Sequence, residues 1–425
     1  MSQYRAYPAY KDSGVEWIGQ VPEHWKVARV KRLASLRNER RNDVSTDTIY
    51  IGLEDVEAGS GQYKPTNGSS RQSEDSTVGI FYEGDVLYGK LRPYLRKAII
   101  SEMAGCCSTE FLVLRAEKTE PRWLQEWLLT PDVTHQIVSG CEGAKMPRAD
   151  WGHIGSIEVV YPDQPEQAKI LTSLDRETAR IDALIEKKTR FIELLNEKRQ
   201  ALITHAVTKG LDRNAKMKDS GVEWIGEVPE HWEVKPFFAL VTELNRKNVG
   251  LVETNILSLS YGNIIQKPET RNMGLTPESY ETYQIVESGE IVFRFTDLQN
   301  DKRSLRSAQV TQRGIITSAY MAVKPQSIDS TYFAWLMRSY DLCKVFYAMG
   351  GGLRQSLKFE DVRRLPVLIP PVDEQSAITN TINAGTARID ALVEKTEQSI
   401  TLLKERRAAF ITAAVTGQID LRGKQ

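Results

Sequence analysis

The apolar positions of this chain follow a seven-residue repeat in two long stretches. The first stretch runs from about residue 167 to 207, and the second occupies the corresponding part of the C-terminal region. A repeat sustained for about five heptads favours a coiled coil, because residues three and four apart share one face of a helix. We call the apolar positions of these repeats the seam residues: Leu174, Ile181, Ile185, Ile192, Leu195, Leu202, Ile382, Ile389, Val393, Ile400, Leu403 and Phe410.

The ends of the first predicted helix carry the usual signals. Pro165 and Glu166 suit a first helical turn, and Gly210 suits the residue after the last turn. About 40 residues at about 1.5 Å each give a helix of about 60 Å. Pairing of the two helices with each other, with a pseudo-two-fold axis if they are antiparallel, fits these narrow seams. The alternative is that each helix packs on its own globular domain.

The sequence contains an internal duplication. Residues 11–25 read KDSGVEWIGQVPEHW and residues 218–232 read KDSGVEWIGEVPEHW; we call these the opening segments. Residues 178–187 and 386–395 match as TARIDALIEK and TARIDALVEK. A period this long is typical of a duplicated module and not of a solenoid. In each opening segment the Pro-Glu-His-Trp run predicts one helical turn with the tryptophan as a packing anchor, and His24 and His231 are predicted to be structural.

Between opening segment and helix, the two halves diverge. Residues 26–160 and 233–368, the variable regions, share only scattered landmarks and are predicted to be β-rich with short helices. The predicted fold class is α+β, with two β-rich α/β domains alternating with two long helices that pair as an antiparallel coiled coil. The predicted segments are a first domain at 1–165, the first long helix at 166–210, a second domain at 211–372, and the second helix with a C-terminal tail at 373–425.

Composition and cysteine usage indicate an ordinary cytoplasmic protein. The chain has 425 residues, 41% of them hydrophobic, and no apolar run of about 18 residues that would predict a membrane span. The N-terminal sequence lacks the apolar stretch of a secretory signal. Four cysteines without a C-x-x-C pair argue against a zinc site or a disulfide framework.

Net charge is zero, with 56 basic and 56 acidic residues, whereas nucleic-acid-binding proteins are usually basic. A local basic patch can nevertheless lie on a neutral chain. Each variable region has basic residues after a strand and in a glycine-containing loop, where they could contact phosphates or read guanine. A solvated charged hairpin is the alternative, and Tyr94, Phe293 and Phe295 beside these charges are predicted to be sheet core. The candidate DNA-binding residues are Lys90, Arg92, Arg96, Lys97, Lys145, Arg148, Arg294, Lys302, Arg303, Arg306, Arg354 and Lys358.

The sequence carries none of the catalytic motifs that we sought. Phosphate-binding loops, dinucleotide-binding fingerprints, nucleophile signatures and the H-E-x-x-H metal motif are all missing. A loose metal-nuclease pattern joins Asp163 to Glu186 and Lys188, but the last two lie in mid-helix, and the second half has Pro371 and Thr396 at the corresponding positions. The sequence therefore predicts a non-catalytic chain without a metal site or a cofactor of its own.

These motifs resemble the specificity subunits of type I restriction-modification systems. The resemblance rests on the duplicated W-I-G-x-V-P-x-H-W segment, the GDVLYGKLRPYL run at 84–95, the Glu-Gln pairs at 166–167 and 374–375, and the TARIDALIEK helix with its copy. It covers essentially the whole chain. It implies that each variable region is a target recognition domain reading one half of a bipartite, asymmetric DNA site, with the helices fixing the distance between half-sites.

The resemblance also implies partners and their cofactors. Two methyltransferase subunits carrying S-adenosylmethionine would dock on the helices, and restriction/translocase subunits using ATP and Mg²⁺ would join them for cleavage. Base flipping and methylation would belong to the methyltransferase. A full restriction system and a methylation-only system both fit. The competing hypotheses are a self-contained nuclease or methyltransferase and a structural coiled-coil adaptor without DNA contact.

Overall fold

The computed structural model describes residues 5–45, 47–66, 76–141, 143, 145–267, 279–298, 301, 304–349 and 356–423. The chain divides into two compact units. The first comprises Met1–Lys188 with Gln398–Gln425, and the second comprises Thr189–Glu397. Each unit therefore contains one variable region and part of each long helix.

In the first unit, short strands form the variable region and the opening segment. The helices are α1 (Pro121–Leu129), α2 (Pro131–Ser139), α3 (Trp151–Ser156) and the start of the long helix α4 (Gln164–Lys209). The strands are β1 (Tyr10–Asp12), β2 (Gln20–Pro22), β3 (Lys26–Arg29), β4 (Ala34–Leu36), β5 (Arg40–Arg41), β6 (Tyr50–Ile51), β7 (Val78–Phe81), β8 (Val86–Gly89), β9 (Ala98–Ile100), β10 (Gly105–Cys107), β11 (Phe111–Ala116) and β12 (Glu158–Tyr161).

Two four-stranded sheets organise this unit, in the orders β4-β11-β8-β9 and β5-β7-β10-β6. The first sheet is antiparallel throughout, with Leu114 opposite both Leu36 and Val86. Helix α1 packs on it with Trp127 and Leu128 buried against the strands, and α2 adds Val133 and Ile137 to the same core. Strand β12 returns to pair with β3 immediately before α4 begins, so the variable region is closed off by its own first and last strands.

The second unit repeats this plan. Its helices are α5 (Ser330–Leu342), α6 (Val345–Ala348), α7 (Phe359–Val362) and the start of the long helix α8 (Val372–Val415). The strands are β13 (Met217–Asp219), β14 (Glu227–Pro229), β15 (Glu233–Pro236), β16 (Val241–Leu244), β17 (Leu257–Ser260), β18 (Asn263–Gln266), β19 (Gln284–Val286), β20 (Ile291–Phe293), β21 (Ser307–Gln309), β22 (Gly314–Ile316), β23 (Met321–Pro325) and β24 (Pro366–Ile369).

The sheet β16-β23-β20-β21 has the same order as β4-β11-β8-β9, and the β15-β24 pair corresponds to β3-β12. The remaining strands differ. In the second unit they form two separate antiparallel pairs, β17-β18 and β19-β22, instead of one four-stranded sheet. The two variable regions therefore share a core sheet and differ in the strands beside it.

Contacts between α4 and α8 recur in both units. In the first unit the Ser173 hydroxyl donates to the Leu421 carbonyl at 3.1 Å, and Arg407 Nε lies 2.9 Å from Asp182 Oδ1. Residue numbers thus rise along α4 as they fall along the C-terminal segment, so the two segments run in opposite directions. In the second unit Arg199 and Asp390 form the corresponding ion pair. The seam residues are buried or half-buried, whereas Leu184, Phe191 and Leu194 outside the seam are exposed.

The helix α4 starts at Gln164 and ends at Lys209, and Gly210 follows it with a φ of 75°. No described helix combines the length and apolar character required to cross a bilayer.

Candidate nucleic-acid interface

The opening segment of the first unit is tied to the start of α4 by one carboxylate. Glu166 accepts hydrogen bonds from Trp25 Nε1 at 3.2 Å and from the Tyr7 hydroxyl at 3.1 Å, and its other oxygen lies 2.7 Å from His24 Nε2. Trp25 is fully buried, as predicted for a packing anchor, but a single turn closed by Trp25 N to Pro22 O replaces the expected helical turn. His24 is therefore part of a structural contact.

The second unit repeats this contact. Glu374 accepts a hydrogen bond from Trp232 Nε1 at 2.8 Å and pairs with His231. The glutamine that follows each glutamate fixes the variable region instead. Gln375 Oε1 accepts from the backbone N–H of Asp329, just before α5, at 2.8 Å. In the first unit, Gln167 Oε1 accepts from Glu120 N at 3.0 Å, just before α1. The Glu-Gln pairs thus position both the opening segment and the variable region on the long helix.

Backbone hydrogen bonds bring the two candidate basic clusters of the first unit together. Lys90 N donates to the Glu110 carbonyl and Arg92 N to the Pro147 carbonyl, while Ala149 N donates to the Lys90 carbonyl. The segment after β8 therefore lies between the start of β11 and the glycine-containing loop. Lys90, Arg92, Lys145 and Arg148, predicted as two patches about 50 residues apart, belong to one surface, which we call the first basic surface.

The loop at the centre of this surface has an unusual backbone. Arg92 and Arg96 both have a φ of 51°, in the left-handed region that residues with a Cβ seldom adopt. They flank Tyr94, which is 51% exposed, contrary to its expected place in the core. Residues in this conformation persist only where the surrounding structure holds them, and they are concentrated at functional sites.

The candidate cations of the first unit differ in how exposed they are and in whether the protein already binds them. Arg92 and Lys145 are exposed and Lys90 is half-buried. Lys97 is half-buried and its Nζ donates to the Leu53 carbonyl at 2.6 Å, and Arg96 lies 3.4 Å from the Leu129 carbonyl. Arg148 forms an ion pair with Glu110 at 3.2 Å, and this carboxylate raises the pKa of the arginine. Arg92 and Lys145 are therefore the best placed of these residues for a phosphate.

The second unit places its candidates around the equivalent loop. Arg294 N donates to the Arg306 carbonyl, and Leu357 N donates to the Phe295 carbonyl, so the chain just before α7 lies beside the segment that follows β20. Arg294 is half-buried and Lys358 is exposed. Phe293 and Phe295 are buried and stack in the core, as predicted. The candidates Lys302, Arg303 and Arg354 lie outside the described residues.

Arg306 is not available for DNA and is corrected from a contact residue to a structural one. Its side chain is fully buried, and its guanidinium donates to the carbonyls of Thr296, Asp297 and Asp301 and to the Tyr347 hydroxyl. A buried guanidinium needs several acceptors to offset its lost hydration. Arg306 therefore holds the loop between β20 and β21 in shape.

A second contact, an arginine–carboxylate ion pair, recurs in both units and was not predicted from the sequence. The acid of the Gly-acid turn before the central strand pairs with an arginine after the edge strand: Arg37 Nε with Asp85 at 2.8 Å, and Arg246 with Glu290. Both carboxylates are nearly inaccessible to solvent. The shared Gly-acid turn was the available signal, but the arginines are 48 and 44 residues away in sequence.

The residues of the loose nuclease pattern do not meet. Asp163 Oδ1 accepts from Glu166 N at 3.0 Å, as an N-capping residue of α4 does. Glu186 lies about 33 Å further along the same helix at about 1.5 Å per residue, so the two carboxylates cannot share a metal. Among the described residues, no group of three or more histidine, cysteine, aspartate or glutamate side chains could hold a metal ion.

The chain is similar to proteins named as specificity subunits of type I restriction enzymes. No family model matches the chain. The type I restriction enzyme EcoDI specificity subunit of Escherichia coli is 22% identical over 205 residues, which is 47% of this chain and 46% of that protein, so the match spans about half of its length. The type I restriction enzyme MjaIX specificity subunit of Methanocaldococcus jannaschii is 20% identical over 99% of this chain and 98% of its own.

A solved structure shows the same fold. A chain from a study of complex assembly and conformational transition of the type I restriction-modification system aligns with a TM-score of 0.65 at 16% identity, covering 95% of this chain and 99% of that one. The resemblance read from the sequence is thus confirmed: the chain is similar, over almost its whole length, to the specificity subunits of type I restriction-modification systems, which are targeting and not catalytic subunits.

Proposed function

We propose that this chain is the DNA sequence-specificity subunit of a type I restriction-modification complex. Each variable region, with its opening segment, acts as a target recognition domain for one half of a bipartite, asymmetric site in double-stranded DNA. The long helices set the distance between the half-sites and dock two methyltransferase subunits. S-adenosylmethionine, ATP and Mg²⁺ belong to those subunits and to the restriction/translocase subunits, and the assembly works in the cytoplasm.

The observation that carries this proposal is the repetition of one scaffold beneath two different loops. The Glu-His-Trp contact, the Glu-Gln pair and the core sheet recur in both units, whereas the loops after β8 and β20 differ in sequence and contacts. The first loop contains Arg92 and Arg96 in the left-handed conformation, whereas the second contains Arg306 with its side chain buried. Equivalent scaffolds with different loops suit two different readouts, since base contacts specify sequence while the scaffold positions them.

The proposed spacing role is supported by the reciprocal ion pairs of the long helices. Asp182 of α4 meets Arg407 of α8, and Arg199 of α4 meets Asp390 of α8. These four residues occupy matching positions in the two halves of the sequence. Such a pattern suits two helices held in a single antiparallel register, which is what a spacer of fixed length requires.

The first experiment maps methylation in cells. The chain is co-expressed with the methyltransferase subunit of its own system in a host without other DNA methylation, and the genome is sequenced with a readout of modified bases. Methyladenine at one bipartite, asymmetric motif, absent without this chain, is the expected result. Methylation of a continuous motif would overturn the two-reader arrangement. No methylation, with both proteins present, would favour a structural adaptor.

The spacing role has its own test. Seven residues are inserted in both helices, after Lys188 in α4 and after Glu397 in α8. Each insertion lies between the two ion pairs of its helix, so Asp182–Arg407 and Arg199–Asp390 can both persist. At about 1.5 Å per residue the insertion adds about 10 Å, or about three base pairs at about 3.4 Å each. The half-sites should stay the same and the spacer should lengthen; an unchanged spacer would refute this role.

A further inference from the structure

One hairpin of the second unit has no counterpart among the described strands of the first, and it presents an aromatic ring at its tip. Strands β17 and β18 are joined by the two-residue turn Tyr261-Gly262, and Ser260 pairs with Asn263 across it. Both turn residues have positive φ, 46° and 76°. Turns of this type favour Asn-Gly, because asparagine tolerates the left-handed conformation far better than bulky residues do. Here the first position is tyrosine, and this residue is 82% exposed.

Hydrogen bonds from one arginine hold this turn in place. Arg338 of α5 donates through Nη2 to the Gly262 carbonyl and to the Ser307 carbonyl, the latter at 3.0 Å. A Cβ at Gly262 would lie 2.5 Å from the Arg338 guanidinium, so a side chain there would displace the arginine, and the φ of 76° also favours glycine. These hydrogen bonds restrain the turn that holds Tyr261 in the left-handed region. The ring is therefore fixed in solvent at a backbone position that disfavours it.

The same arginine fixes where the ring lies. Ser307 begins β21 and directly follows Arg306, the residue that shapes the loop between β20 and β21. Because a single guanidinium nitrogen contacts both Gly262 and Ser307, the tip of the hairpin stands beside the end of that loop. The loop contains Arg294 and is the proposed DNA-contacting element of the second unit.

We propose that Tyr261 is a specificity-determining residue of the second recognition domain, whose ring lies against the bases of its half-site. A flat, apolar ring stacks on base faces or wedges at a base step, and it can contact the methyl group of thymine. Packing within the protein does not explain the residue, since the ring is mostly exposed. Strain kept at an exposed position is typical of binding sites. This inference rests on the proposed function and names a residue for one of its two readers.

The test compares Tyr261→Asn with Tyr261→Phe in the complex with the methyltransferase subunit. Asparagine removes the ring and suits the left-handed backbone, so the hairpin should remain folded. Phenylalanine keeps the ring and loses only the hydroxyl. The matched control is Leu251→Asn, because Leu251 is also exposed with a φ of 53° in the same unit but is not joined to the loop through Arg338. Methylated motifs are mapped for all three variants and the unmodified chain.

We expect Tyr261→Asn to relax one or two adjacent positions of a single half-site, with discrimination falling about 5- to 100-fold, the range for loss of one base contact. Tyr261→Phe and Leu251→Asn should keep the original motif. An unchanged motif with Tyr261→Asn would overturn the inference, as would equal relaxation by Tyr261→Phe or a uniform loss at both half-sites. Failure of the proposed function is distinguishable, because then the unmodified chain itself would direct no bipartite methylation.

Discussion

Arg407 of α8 lies 2.9 Å from Asp182 of α4, on the shielded face of the helix, with the arginine side chain 16% exposed. A charged residue at this position of the repeat would weaken the packing of an apolar seam. The neighbouring helix supplies its carboxylate partner, and Arg199 meets Asp390 in the same way. Ion pairs of this kind specify register and orientation more than they contribute free energy.

A double-mutant cycle at Asp182 and Arg407 should therefore give a measurable coupling. We expect about 1 kcal/mol between Asp182→Asn and Arg407→Gln, because the pair is partly shielded from water. Urea unfolding of the four proteins measures it. Arg190 and Glu193, exposed and one turn apart on α4, form the matched control and should couple by less than about 0.5 kcal/mol. Equal coupling at the two sites would argue against a specific role for the interhelical pair.

Replacing Glu166 should destabilise the first unit. In Glu166→Ala, buried Trp25 Nε1 loses its acceptor, and an unpaired buried donor costs about 1–3 kcal/mol. Glu166→Gln keeps an acceptor oxygen and should cost less. Thermal unfolding compares the two variants, with Glu177→Ala on the same helix as a control outside this contact. If Glu166→Ala unfolds at the same temperature as the unmodified chain, the carboxylate does not hold the opening segment.

Arg306 should behave as a structural residue. Arg306→Lys retains a charge but cannot reach the several acceptors around the guanidinium, so we expect a loss of about 3 kcal/mol or more. Denaturant unfolding measures this loss. Lys358→Ala, an exposed candidate in the same unit, should change stability by less than about 0.5 kcal/mol. A stable Arg306→Lys protein with altered DNA recognition would restore Arg306 to the list of contact residues.

The first basic surface should contribute to affinity through phosphates. Arg92→Gly removes a charge at a backbone position that glycine prefers, so the fold should tolerate it. We expect weaker binding to all DNA sequences and a salt dependence lower by about one unit of slope. Fluorescence anisotropy of the complex at several salt concentrations measures both.

The control for this experiment is Lys118→Ala. Lys118 is exposed but follows β11 at the end opposite Glu110, about 20 Å from the basic loop at about 3.3 Å per residue. It should leave the binding and its salt dependence unchanged. If Arg92→Gly and Lys118→Ala weaken binding equally, the effect reflects net charge and not a particular surface.

Periodicity and repetition in the sequence were enough to predict the elements that depend on local pattern. A seven-residue repeat places Leu174, Ile181 and Leu195 on one helical face whatever they pack against, and these residues are buried. The duplicated Trp25 and Trp232 could be read as anchors because a large aromatic ring in a repeated segment has few other roles. Glycine after Lys209 marked the end of a helix for the same local reason.

Tertiary structure decided which charges remain available. Arg306, Arg148 and Lys97 each belong to a basic run in the sequence, but their partners lie up to 44 residues away along the chain, and only folding brings these groups together. The same is true of Tyr261, since its turn is pinned by Arg338, which is 76 residues distant from Gly262. Local pattern sets helices, turns and buried faces, whereas availability for DNA depends on long-range contacts that no periodicity encodes.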